Sequence, residues 1–181
     1  MQEIKIIDLD LTNQFKRLEL LIEKIELNVI AEFEIGGSDS DIPWDSLNYA
    51  GVYLIEIEND GKSNDFNDWI TKFKEKWEGK EHIIKYSPSL KIKRIKQHSE
   101  LEDWIPLYIG KSKKIGNRIC EHIFLESDRA TFALKLGARQ NLKDSRFRLK
   151  TYRIGVMNYD AILPRIELHL RNRINPLIGR Q

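Results

Sequence analysis

Cysteine occurs once, at Cys120, which excludes an internal disulfide and a multi-cysteine zinc site. Cys120 falls inside a helical pattern, where a small packed residue is expected rather than a nucleophile. No apolar run approaches the ~20 residues that cross a bilayer. The amino terminus, "MQEIKIIDLD", has no basic stretch ahead of an apolar core, so no secretory signal is expected. A cytoplasmic chain is the simplest expectation. There is no P-loop, GxGxxG, HExxH or Ser-centred elbow, which removes several large enzyme classes. His82, His98 and His169 lack the Cys or His neighbours of a zinc pattern.

What is present suits one domain with a real core: 181 residues, 41% apolar and 32% charged. The net charge of +2 conceals an asymmetry. Residues 1–60 hold 4 Lys and Arg against 14 Asp and Glu, whereas residues 61–181 hold 26 against 14. Such a split accompanies polyanion-binding bodies with acidic appendages, and also plain solvated surfaces.

In "LTNQFKRLELLIEKIELNVIAEF", Leu11, Phe15, Leu18, Ile22, Ile25 and Val29 recur at steps of three and four. That spacing predicts a helix of about six turns, burying its stripe on the body or on a second copy in a homodimer. "EIGGSDSDIPWDSLNY" reads as a linker or exposed loop. Residues 1–46 thus form an amino-terminal helix and acidic linker, and residues 47–181 the main domain.

"AGVYLIEIE" reads as a strand, "FNDWITKFKEKW" as a helix with an aromatic core face, and "EHIIKY", "LKIKRIKQ" and "IPLYIG" as strands. A helix begins near Ile115 and carries Arg118 and His122 four apart, on one face. A basic connection then leads to a strand near Tyr152–Met157, and a last helix starts around Pro164. These elements predict an α+β domain, with a small central mixed or antiparallel sheet flanked by helices. In the last helix Glu167 lies in line with Leu163, Leu170 and Ile174. A carboxylate facing a core needs compensation. Two readings stand: an ion pair with an arginine such as Arg118, or a ligand for Mg²⁺ or Mn²⁺, which favour oxygen.

"GVY" at 51–53, "YIG" at 108–110, Arg118, His122 and Glu167 in "RIELHL" form an ordered set. It resembles the GIY-YIG nuclease superfamily, and the histidine after the arginine is found in its restriction-endonuclease-like branch. The match spans residues 51 to 167, with an insertion at about 60–100. The resemblance implies a metal-dependent endonuclease acting on double-stranded DNA, of restriction type, with no membrane role. It makes Tyr53 the base acting on water, Tyr108 a bridge to phosphate or water, and Arg118 a fork for the phosphate. His122 shares the proton transfer, and Glu167 holds one Mg²⁺ or Mn²⁺.

Lys111 is expected to help Tyr53 by lowering a phenol pKa normally near ~10. Lys113, Lys114, Arg139, Arg146 and Arg148 are the expected DNA contacts. All the catalytic groups should meet at one solvent-open cleft, with a positive rim of Lys111, Lys113, Arg146 or Arg148.

Two departures from the family pattern favour an alternative, a catalytically inactive nucleic-acid-binding protein that keeps the fold. Tyr53 and Tyr108 are 55 residues apart, whereas the family's halves lie close together. Gly179 stands in the usual asparagine slot, with Gln181 and Asn175 as the candidate substitutes for the lost amide.

Overall fold

The computed structural model describes residues 2–36, 41–79 and 84–179. In chain order the elements are α1 (Gln2–Ile22), β1 (Asn28–Glu34), β2 (Gly51–Glu58), α2 (Phe66–Glu78), β3 (Ser89–Leu90) and α3 (Ile92–Ile95). They continue with β4 (Trp104–Ser112), α4 (Ile115–Phe124), β5 (Arg146–Arg153), α5 (Tyr159–Ile174) and β6 (Ile178–Gly179). The fold is α+β, with a central antiparallel sheet in the order β1-β5-β2-β4, flanked by helices. No helix among the described residues is long and apolar enough to cross a membrane.

Alternation along the strands divides the core between the two faces of the sheet. Tyr53, Ile55, Ile57, Leu107, Phe147 and Leu149 face α2 and α4, meeting Phe66, Trp69, Phe73, Ile115 and Ile119. Val52, Leu54 and Ile109 face the other way, onto Ile22 of α1 and Leu163, Ile166 and Leu170 of α5. With both faces covered, β2 is buried over nearly its whole length. α2 starts where the Asp65 carboxylate accepts the Asp68 amide at 2.9 Å, a side-chain N-cap.

Several expected elements differ. The amino-terminal helix ends at Ile22, and Val29 belongs to β1, paired with β5. β-branched Val29 and Ile30, followed by alternating burial at Ala31 and Phe33, suit a strand better than a helical stripe. Leu18, Ile22 and Ile25 do pack on the body, while Ile4, Ile7 and Leu11 are exposed.

"LKIKRIKQ" is not a strand but the end of β3 and the short helix α3. Lysines on both alternating faces leave no dry side to bury. The strand expected at "EHIIKY" lies partly outside the described residues, and Lys85–Tyr86 form a turn with Tyr86 at φ 54°.

The strand expected near Tyr152–Met157 ends at Arg153, because the basic connection is itself β5, alternating Phe147, Leu149 and Thr151 inward. Pro164 lies inside α5 rather than opening it; the helix begins at Tyr159. Cys120 is exposed instead of packed.

Candidate active site

Two strands and two helices supply the candidate residues. Tyr53 on β2 pairs in register with Gly110 on β4. A Cβ built on Gly110 would stand 2.4 Å from the Tyr53 hydroxyl and 2.6 Å from its Cζ, so the phenol crosses the space that a side chain would fill. Gly51 is equally constrained, since its Cβ would meet the Tyr152 carbonyl oxygen at 2.2 Å. Ile55 pairs with Tyr108 and Glu56 with Pro106, leaving Leu107 as a bulge. The bulge breaks the alternation and sets Tyr108 on the same face as Tyr53. Their ring centroids are 6.3 Å apart.

α4 follows a turn in which Ser112 Oγ accepts the Lys114 amide at 3.0 Å. Ile115, Ile119 and Ile123 form its buried stripe, and His122 shares that face. The His122 ring lies 5.6 Å from Tyr53 and 4.9 Å from Tyr108. Its Nδ1 accepts the Leu134 amide at 3.0 Å, which places the ring proton on Nε2. Nε2–H therefore donates to the Tyr53 hydroxyl oxygen across 2.8 Å. Burial, and then the charge of Arg118, push the His122 pKa well below its ordinary value.

Tyr53 and His122 are only 1% and 0% exposed. Burial raises the Tyr53 pKa well above the usual phenol value, with Tyr108 adding to the rise and Arg118 opposing it. Tyr108 is raised too, chiefly by burial. The lowered phenol that a base at Tyr53 needs is thus absent here, and Lys111 does not provide it. Lys111 points to the α5 face, where its Nζ lies 3.4 Å from Glu167 Oε2. Tyr53 and His122 are thus buried rather than facing the solvent-open cleft that was expected.

Arg118 is half-buried. It pairs with Glu121 and donates to the Phe132 carbonyl at 2.7 Å, and its charge acts on both phenols. Glu167 approaches from α5, on the opposite face of the sheet from α4 and beside β4, the edge strand. Its charge still bears on both Tyr53 and Tyr108. Its carboxylate is held by Lys111 and by Arg171, not by Arg118, and its side chain is 14% exposed. Among the described residues no group of three or more His, Cys, Asp and Glu stands ready to share a metal.

The structure therefore gathers Tyr53, Tyr108, Arg118 and His122 closely and brings Glu167, from the other side of the sheet, within electrostatic reach of the two phenols. It adds two residues that were not candidates. Arg171 follows Glu167 by one helical turn, a spacing that signals pairing. Arg94 of α3 is within electrostatic reach of Arg171 and Glu167, and reading its segment as a strand hid it.

The expected DNA contacts fare unevenly. Lys113 and Lys114 flank the site at the start of α4, with Lys113 3.1 Å from Asp160. Arg139 is buried, donating to the Leu134 and Trp77 carbonyls and to Ser87, with its guanidinium 3.4 Å from the Trp77 ring centroid. At 3% exposure it is out of reach of a phosphate.

Arg146 and Arg148 lie toward the other end of β5 and pair with Glu32, Glu58 and buried Glu56. They do not rim the site. Gly179 lies in β6 opposite Ser89, Gln181 is outside the described residues, and Asn175 caps α5 with its carbonyl bound to His98. Two cavities, of about 580 and 510 Å³, are lined by none of Tyr53, Tyr108, Arg118, His122 and Glu167, although Arg146 borders the first and Asn175 the second. No family of proteins, no curated protein and no solved structure matches this chain.

Proposed function

We propose that the protein is a metal-dependent endonuclease of the GIY-YIG type acting on double-stranded DNA, with restriction-type cleavage as its subclass. One observation carries the reading. Tyr53 and Tyr108 of β2 and β4 lie ring to ring with His122 of α4, their centroids 4.9 to 6.3 Å apart, Arg118 bears on both phenols, and so does Glu167 of α5, 114 positions beyond Tyr53.

Tyr108 and Arg118 are the groups that meet an incoming phosphate, the first through its hydroxyl and the second through a planar fork of donors. Tyr53 stands behind them as the base. His122 Nε2–H and the Arg118 charge both favour its phenolate, against the burial that keeps it protonated. Cleavage is therefore expected to rise toward alkaline pH.

Glu167 is the carboxylate that would hold Mg²⁺ or Mn²⁺. Its chemistry fits: Mg²⁺ is commonly bound by one or two carboxylates with waters and substrate phosphates, and Lys111 is a flexible partner for one oxygen. When bound, such an ion supplies Lewis acidity to the phosphoryl and leaving oxygens. Lys113 and Lys114 position the flanking backbone.

A second reading, a DNA-binding protein of this fold without turnover, is favoured by the two cations already on Glu167 and by the buried Tyr53. Incubation of the purified protein with a mixture of duplex sequences and Mg²⁺ or Mn²⁺ separates the two. The nuclease cuts, a chelator stops it, and Glu167→Ala removes cutting while retaining duplex binding. Binding with no cutting under any divalent ion establishes the second reading, and cutting by Glu167→Ala rejects the metal-ligand assignment.

A further inference from the structure

α1 is held by the body only toward its carboxy-terminal end. Ile22 is its one buried residue, half-buried Leu18 packs beside it, and Phe15 lies under the Arg165 guanidinium, 3.5 Å from the ring centroid. The turns before Phe15 carry Ile4, Ile7 and Leu11 into solvent, and Leu21 stands free beside the docked end; all four are 50 to 69% exposed. An isolated helix shorter than about 12 to 15 residues is marginal in water, so the part of α1 that projects needs a partner.

The sequence of α1 says what kind of partner. Ile4, Ile7, Leu11, Gln14, Leu18 and Leu21 alternate steps of three and four, the spacing of a coiled-coil seam with one polar position. On one side of the seam Phe15 and Ile22 are already engaged by the body. On the other side the residues at steps of seven are Glu3, Asp10, Arg17 and Lys24, two acids followed by two bases. Among the described residues none of these four makes an ion pair within the chain, Arg17 donating to Gln14 instead.

We propose that α1 pairs antiparallel with α1 of a second copy of this chain. With Ile4 beside the partner's Leu21, Ile7 meets the partner's Leu18 and Leu11 the partner's Gln14. The free flank then sets Asp10 against the partner's Arg17 and Glu3 against the partner's Lys24, each twice by two-fold symmetry. A parallel pair would instead face Glu3 with the partner's Asp8 and Asp10 with the partner's Phe15. The far side of α1 exposes Ile6, Leu9 and Leu20 as well, but Asn13 and Lys16 interrupt it. A membrane surface fits less well, because residues 2–14 carry three acids against one lysine. The pairing is independent of the nuclease reading.

The test is the solution mass of the purified full chain, by sedimentation across a dilution series. Near-ultraviolet circular dichroism, which reports the buried Trp69 and Trp77, serves as the fold control. Wild type is expected to have the mass of two chains and to dissociate on dilution with loss of helix signal. Ile7→Glu should raise the dissociation constant about a hundredfold or more, since two isoleucines leave the seam. Asp10→Arg and Arg17→Asp should each weaken pairing about tenfold by facing like charges, and the double variant Asp10→Arg/Arg17→Asp should return to within about threefold of wild type.

A wild-type monomer at every concentration overturns the pairing, and its sedimentation with phosphatidylcholine–phosphatidylglycerol vesicles would place α1 on a membrane instead. A dimer untouched by Ile7→Glu overturns it too, because the interface then lies elsewhere. A double variant as weak as the two single ones overturns the antiparallel arrangement.

Discussion

His122 is neutral for two reasons that act at one atom each. The Leu134 amide occupies the lone pair on Nδ1, and burial beside Arg118 penalises a positive ring. A second proton would have to displace that amide. In the unfolded chain the same histidine takes up a proton at its ordinary value, near ~6.5. Below that pH the unfolded state binds more protons than the native one, so stability must fall as the solution is acidified. The slope approaches about 1.4 kcal/mol per pH unit while native His122 stays neutral.

Urea unfolding of wild type and His122→Gln between pH 7.5 and 5 checks this, with the variant less stable at pH 7.5 but losing less on acidification. Equal acid slopes in the two proteins would show that His122 gains a proton in the native state. At this scale the sequence was informative about residue types and helical spacing. Arg118 and His122, four apart, do flank the site, and Tyr53 and Tyr108 do share a face. Tautomer, depth and partner were not legible, because each depends on chain distant in sequence, such as Leu134 against His122.

Elements with one clear dry face were readable, and those with split faces were not. α2 announces itself through Phe66, Trp69, Phe73 and Trp77, and β4 through its apolar run to Gly110. The segment 90–97 alternates lysine with isoleucine on both faces, so periodicity could not choose, and its pairing with β6 at the far end of the chain decided it. β5 was masked by its arginines and lysines, whose partners Glu32, Glu56 and Glu58 lie on other strands.

Arg139 shows the same effect between elements. It looks like a surface cation in sequence, yet it ties the end of α2 to Ser87 and to Leu134, and burial lowers its pKa to about 10. Arg139→Ala should cost about 3 kcal/mol, since two buried carbonyls lose their donor and Trp77 loses its stacking partner. Chemical denaturation measures it, and duplex binding by the folded variant should be unchanged. A loss of binding without loss of stability would return Arg139 to the DNA surface.

Over the whole molecule, folding removes much of the charge asymmetry that the sequence displays. The acidic first third does not hang as a separate appendage, because β1 is a strand of the central sheet. Glu23 pairs with His169 and Arg173, Glu32 with Arg146, and Glu56 with both Arg148 and Lys150. Each contact sets an acid of the first sixty residues against a base of the remainder.

The cations around the candidate site are Lys111, Lys113, Lys114, Arg118 and Arg171, of which all but Lys114 sit in ion pairs that a phosphate would have to replace. DNA binding should therefore involve about four or five phosphates rather than all the basic stretch 135–153. That corresponds to a slope of roughly −3 to −5 in log affinity against log salt, from about −0.9 per phosphate. Arg146→Ala, at a partly exposed side chain already held by Glu32, Glu58 and the Trp104 ring, should change duplex affinity by less than about twofold. Lys113→Ala should weaken binding and flatten the slope by about one. A slope near −8, or a large loss on Arg146→Ala, would mean that the sheet face bearing Glu56 also carries DNA and that its ion pairs open when it does.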